Sequence, residues 1–75
     1  PVSDNLNIDL YVTKAQNTTI KLLDMSGRIV KQIQARSNVG MNKLTIDISS
    51  IATGLYTVQI YENDNLTQVS KVKKN

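Results

Sequence analysis

The feature that most constrains this chain is the abundance of β-branched residues in a short sequence. Eight Ile, seven Val and seven Thr make up 22 of the 75 residues. These side chains are stiff at χ1 and pack well on a pleated surface. No long window repeats apolar residues at helical spacing, so the sequence predicts an all-β fold.

Apolar and polar residues alternate with a period of two along most of the chain, as on strands with one buried face. The alternation predicts strands at residues 6–13, 18–25, 28–36, 44–48, 56–60 and 66–72, with the weakest pattern in the last. It fails at Leu23, which points outward or marks a bulge, and between Val30 and Ile33, where a bulge would restore the buried face. Strands every ~10 to 15 residues with no helix between them favour a β-sandwich or a barrel.

Turn signals separate these strands. Asp24 and Gly27 bound a tight turn, in which Asp bonds backbone groups two residues on and Gly accepts a positive φ. Further polar turns fall at residues 14–17, 37–40 and 62–65. A connection over residues 49–54 carries Ile51, which we expect to fill part of the core.

The length allows one domain and no more. A chain of 75 residues buries about 60% of its unfolded surface, so its margin of stability is thin. The chain begins at Pro1 without an initiator Met, and we expect residues 1–75 to be a single domain excised from a larger protein. No signal peptide is present, and no apolar run approaches the ~18 residues of a membrane helix, which predicts no membrane insertion.

The net charge of +3 is concentrated at the C-terminus. Lys71, Lys73 and Lys74 fall within the last five residues, and the remaining 70 residues hold six basic and six acidic groups, which cancel. Lysines on an edge strand often serve to block aggregation. The alternative is that this terminus is an address read by a partner.

Composition excludes or disfavours several kinds of chemistry. Without His or Cys, the usual general base, thiol catalysis and the usual metal ligands are missing. Asp9 and Asp47 each stand between apolar neighbours and should face solvent, and Ser26 has no histidine to activate it. The polar turn at residues 63–65 offers too few oxygens for Ca²⁺. The sequence predicts no catalytic residue, no metal or other cofactor, and no enzymatic activity.

The three tyrosines bear on binding of nucleic acid or sugar. Tyr56 shares its parity with Val58 and Ile60 and should be buried. Tyr11 and Tyr61 should face outward without neighbouring Lys or Arg, an arrangement that disfavours nucleic acid as a partner. An extracellular immunoglobulin-like module that binds carbohydrate or protein is the alternative function, with Tyr11 and Tyr61 as its available aromatic platform.

Four segments, in order, resemble the C-terminal sorting domains of the type IX (Por) secretion system of Bacteroidota. They are PVSDNL at 1–6, LLDMSGRIV at 22–30, NKLTIDISSIATGLY at 42–56 and KVKK at 71–74, and they span essentially the whole chain. The second segment is similar to the family's Gly-Arg hairpin, and the third ends in its Gly-x-Tyr motif. The last strand departs from the family pattern, because Gln68 and Ser70 stand where a stronger aliphatic alternation is expected.

This resemblance implies an immunoglobulin-like antiparallel β-sandwich of six to seven short strands. It also implies that the domain follows a cargo module and directs it across the outer membrane to the cell surface or the extracellular space. The secretion machinery would recognise the domain, and a sortase-like peptidase would commonly remove it and could attach the cargo to surface lipopolysaccharide. The recognition residues implied by position are Gly54, Tyr56, Lys71, Val72, Lys73 and Lys74.

Gly54 and Tyr56 also have a structural interpretation. Gly54 would allow a backbone turn barred to β-branched residues, so that Tyr56 can bury its ring while its hydroxyl finds a backbone partner. The basic terminus is the better candidate for direct contact. An edge strand with free backbone groups could dock by β-augmentation or support a homodimer.

Overall fold

The computed structural model describes residues 4–75, so positions 1–3 of the opening motif lie outside the described residues. Six antiparallel strands form, namely β1 Asn5–Val12, β2 Gln16–Leu23, β3 Ile29–Ser37, β4 Gly40–Asp47, β5 Gly54–Glu62 and β6 Asn65–Lys74. Within residues 4–75, no helix has the length and apolar character needed to cross a bilayer. The predicted all-β class is confirmed.

The strands form two sheets rather than one closed barrel. β1 pairs with β4, and the second sheet has the order β3-β2-β5-β6. Buried residues from both sheets meet in one core, which consists of Leu6, Leu10, Val12, Ile20, Leu22, Ile46, Ile48, Tyr56, Val58 and Ile60. The arrangement is an antiparallel sandwich, compatible with the predicted immunoglobulin-like fold. Ile51 packs against this core from its loop, as expected.

Strand boundaries differ from the alternation signal where the strand ends are polar. β4 begins at Gly40, well before the alternation starts at Leu44. The side-chain amide of Asn42 donates to the backbone oxygens of Asn38 at 2.8 Å and of Gly40 at 3.1 Å. A polar side chain therefore takes an inward place with its hydrogen bonds satisfied, which apolar alternation cannot signal.

Two bulges shift the pairing register within the four-stranded sheet. Leu22 pairs with Lys31 and Leu23 with Ile29, which leaves Val30 as the extra residue on β3. Val30 and the more distant Ile33 both pack against the core, so the predicted bulge is confirmed. A second bulge, which alternation did not reveal, lies between Ile60 and Tyr61, where β6 carries the extra residue.

The turn between β2 and β3 is organised by Asp24. Its Oδ1 accepts hydrogen bonds from the Ser26 amide at 3.0 Å, the Ser26 hydroxyl at 2.7 Å and the Arg28 amide at 3.0 Å. Gly27 has a φ of +89° and donates its amide to the Asp24 carbonyl at 3.0 Å. The predicted role of Asp24 as a turn former is confirmed. These bonds hold the pKa of Asp24 below its ordinary value of 3.8, the Ser26 hydroxyl contributing most and the Arg28 amide next.

This pKa shift predicts how the hairpin responds to acid. Because the folded-state pKa is depressed, the stabilisation by Asp24 is present above pH 3.8 and is lost as the pH falls through the lower folded value. We expect the Ser26 and Arg28 amide resonances to titrate with a midpoint below 3.8 in an NMR pH series. Asp24→Asn is the control and should abolish this transition. A midpoint at or above 3.8 would contradict the assignment.

The outward residues follow the prediction with one correction. Tyr11, Asp9 and Asp47 are exposed, as expected. The expectation that Tyr61 lacks a neighbouring Lys or Arg is wrong, because the Lys21 ammonium lies 4.5 Å from its ring centroid. Lys21 is on β2, next to β5, and the register places it diagonally across from Tyr61. The half-buried Tyr61 ring is thus engaged in a cation–π contact, which weakens its use as a sugar platform.

Candidate recognition strand and closing loop

The strand β6, called the recognition strand below, lies at the edge of the four-stranded sheet and pairs with β5. Gln68 and Ser70 pair with the buried Ile60 and Val58, so they belong to the inward face, yet both are exposed. The facing sheet has two strands and leaves this stretch of the recognition strand uncovered. Solvent on both faces explains why polar residues replace the aliphatic ones that the family pattern leads one to expect.

Two lysines of the recognition strand project from the outer face of the sheet. Lys71 pairs with Thr57 and Lys73 with Leu55, opposite in parity to the buried residues of β5. Both lysines are exposed, and so are Leu55 beside Lys73 and Val69 on the same face. The ion pair found within residues 4–75 joins Arg28 to Asp24, so neither outward lysine has a carboxylate partner among the described residues. This edge therefore presents uncompensated positive charge beside apolar side chains.

Lys74 behaves differently from Lys71 and Lys73, although the sequence placed all three in one basic terminus. Its side chain faces inward and is only 7% exposed. Its Nζ donates to the carbonyl oxygen of Ile51 at 2.8 Å and of Ser49 at 3.3 Å. A buried ammonium needs such acceptors to offset the loss of water. Parity with Val72 was the sequence signal for this orientation, because alternate residues of a strand share a face.

Residues 48–53, called the closing loop below, supply those acceptors. Asp47 Oδ1 fixes the start of the loop by accepting from the Ser49 amide at 2.9 Å and the Ser49 hydroxyl at 2.7 Å. The hydrogen bonds from Ser49 lower the pKa of Asp47 most, and the positive charges of Lys31 and Lys74 lower it further. This role of Asp47 was not predicted from the sequence, although the same Asp-x-Ser spacing forms the turn at Asp24.

Tyr56 and Gly54 close the other end of the loop. The Tyr56 hydroxyl donates to the Ala52 carbonyl at 2.5 Å, while its ring is buried against the core. Gly54 has a φ of +154°, and an added Cβ would lie 3.9 Å from the Tyr56 ring, which is ordinary contact. Glycine is therefore favoured here by backbone conformation rather than by lack of space.

The candidate residues thus divide between two faces of the same edge. Gly54 pairs with Lys74 and Tyr56 with Val72, so these four residues meet at the closing loop. Three carbonyls of that loop accept hydrogen bonds from the Lys74 and Tyr56 side chains. Lys71 and Lys73 lie on the opposite, outer face. Within residues 4–75 no three acidic groups converge as a metal site.

This geometry defines a β-sandwich domain with an exposed, basic strand at one sheet edge. The family described as the secretion system C-terminal sorting domain matches residues 1–75, and the chain belongs to this type IX secretion family. No curated protein and no solved structure matched the chain. Members of the family are secretion signals rather than enzymes. The chain is therefore a type IX sorting domain, whose partner is the secretion machinery and whose destination is the cell surface or the extracellular space.

Proposed function

We propose that this domain is the C-terminal signal of a larger secreted protein and that the machinery reads it through Lys71 and Lys73. The observation that carries the proposal is their shared outward orientation on an edge strand, exposed and without a carboxylate partner among the described residues. Two cations on alternate residues of one strand form a regular charge pattern. Acidic groups at strand spacing on the receptor would complement it.

The free edge adds a second mode of contact. An edge strand presents unpaired backbone N–H and C=O groups, which an extended segment of the receptor can pair by β-augmentation. Backbone pairing would supply affinity, while Lys71 and Lys73 would select partners that carry acidic residues. Gly54 and Tyr56 act in this proposal through the fold, because their contacts lie within the domain.

Cargo release follows in the same proposal. The cargo module precedes this domain, and a sortase-like peptidase removes the domain once the cargo has crossed the outer membrane, with attachment to surface lipopolysaccharide. A cut upstream of Asn5 would separate the two parts without removing any strand of the sandwich. The family membership and the continuous 4–75 sandwich support this order of events.

Fusing residues 1–75 to a folded periplasmic reporter tests the signal directly. In a host with the type IX machinery, we expect the reporter to reach the cell surface or the medium, measured by protease accessibility and by fractionation. The control is the same fusion in a strain that lacks the translocon, where the reporter should stay in the periplasm. A folded fusion retained in the periplasm of the competent host would refute the proposal.

A further inference from the structure

The apolar pattern of the recognition strand does not by itself fix its register. The inward residues are Gln68, Ser70, Val72 and Lys74, and the outward residues between them are Val69, Lys71 and Lys73. Each set thus contains one valine, with lysine toward the C-terminal end. A slip of one residue exchanges the two faces, and strands without a clear apolar face are prone to such slips.

The hairpin at the start of the strand does not fix the register either. Its central residues Asn63 and Asp64 have positive φ, and the turn sets the pair Tyr61 with Leu66. Next comes the bulge at Thr67, after which Ile60 pairs with Gln68. If that bulge were absent, every later residue would pair one position earlier along the strand. The same hairpin is therefore compatible with two registers.

The alternative register changes the partner of every residue that follows the bulge. The observed pairs Gly54 with Lys74 and Tyr56 with Val72 would become Gly54 with Lys73 and Tyr56 with Lys71. Lys73 would then reach the closing loop, and Lys71 would turn toward the core side of the sheet. Both lysines would be lost from the outer face.

We propose that Lys74 is the positioning residue that selects the observed register. Its ammonium bonds to the Ile51 and Ser49 carbonyls, 20 or more residues away in sequence, and so ties the far end of the strand beyond the bulge. Val72, packed against the core, acts in the same direction. Lys74 thereby keeps Lys71 and Lys73 exposed on the outer face of the sheet. This role of Lys74 rests on the proposed function of those two lysines.

The test compares Lys74→Met with Lys73→Met in the isotopically labelled 75-residue chain by NMR. Methionine keeps the length of the side chain and removes its hydrogen bonds. In the unmodified chain we expect cross-strand NOEs between Thr57 and Lys71, as in the observed register. In K74M we expect a second set of NOEs, between Thr57 and Ser70. They would report the slipped register, whose population should rise from undetectable to roughly a tenth of the molecules or more. K73M is the matched control and should retain the observed register alone.

Either of two outcomes would overturn the assignment: K74M showing the observed register alone, or K73M and K74M slipping equally. If K74M does not fold, Lys74→Gln, which keeps a donor on a shorter side chain, replaces it and should show the second set of NOEs. Reporter export separates this inference from the proposed function. If most K74M molecules took the slipped register and export were unchanged, recognition through Lys71 and Lys73 would be refuted and the positioning role of Lys74 would stay intact.

Discussion

Replacing Lys71 and Lys73 together with glutamine is expected to reduce surface display of a fused reporter by about tenfold or more. The two ammonium groups are exposed on one face of the recognition strand, without a carboxylate partner among residues 4–75. A hydrogen bond to a charged group contributes about 1.5–3 kcal/mol, and about 1.4 kcal/mol corresponds to a tenfold change in binding. Display is measured by the surface-exposed fraction of the reporter, at matched expression.

The matched control is Lys14→Gln with Lys43→Gln. Both of these lysines are exposed, and they lie in the β1–β2 turn and on β4, away from the recognition strand. The control removes the same charge, so it separates a local contact from an effect of net charge. Neither pair should change the free energy of unfolding by more than about 0.5 kcal/mol. Equal loss of display in both pairs would contradict recognition through Lys71 and Lys73.

Tyr56→Ala is expected to lower the free energy of unfolding by about 3–5 kcal/mol, the usual cost of truncating a large buried aromatic side chain. The Tyr56 ring lies in the core, and its hydroxyl anchors the closing loop through Ala52. A domain of this length has a total stability of about 4–11 kcal/mol, so this change removes a large part of it. Urea denaturation followed by circular dichroism measures the effect.

Tyr56→Phe is the companion variant, because it keeps the ring and removes the hydroxyl. It should cost about 1 kcal/mol, the net value of one hydrogen bond. A loss of less than about 1 kcal/mol in Tyr56→Ala would contradict the core role. If Tyr56→Phe abolished export while remaining folded, the hydroxyl would be read by the machinery, and the interpretation of Tyr56 as acting through the fold would fail.

Much of the fold was predictable because alternation reports directly on burial. The inward sets of β1 and β5, such as Leu10 and Val58, follow a period of two and lie in the core as expected. The bulge at Val30 was predictable because it interrupts that period between two apolar residues. The bulge at Thr67 left no such mark, since its neighbours on the recognition strand are largely polar and exposed.

The candidate site was predicted as a set of residues but not as an arrangement. Parity with Val72 indicates that Lys74 faces inward, but its burial depends on the carbonyls of Ser49 and Ile51, which only the structure places beside it. Those contacts join segments far apart in sequence, as does the stacking of Lys21 on Tyr61. Periodicity describes one segment at a time and therefore cannot report contacts between segments.

The contact between Lys74 and the closing loop also has a consequence for the order of synthesis. Lys74 is the last residue of the six strands. A polypeptide made from its N-terminus therefore gains this contact after all the other contacts of the sandwich. A product that terminates within the recognition strand lacks both the anchor and part or all of the Lys71–Lys73 pattern. Under the proposed function, such a product lacks the lysines that the machinery reads.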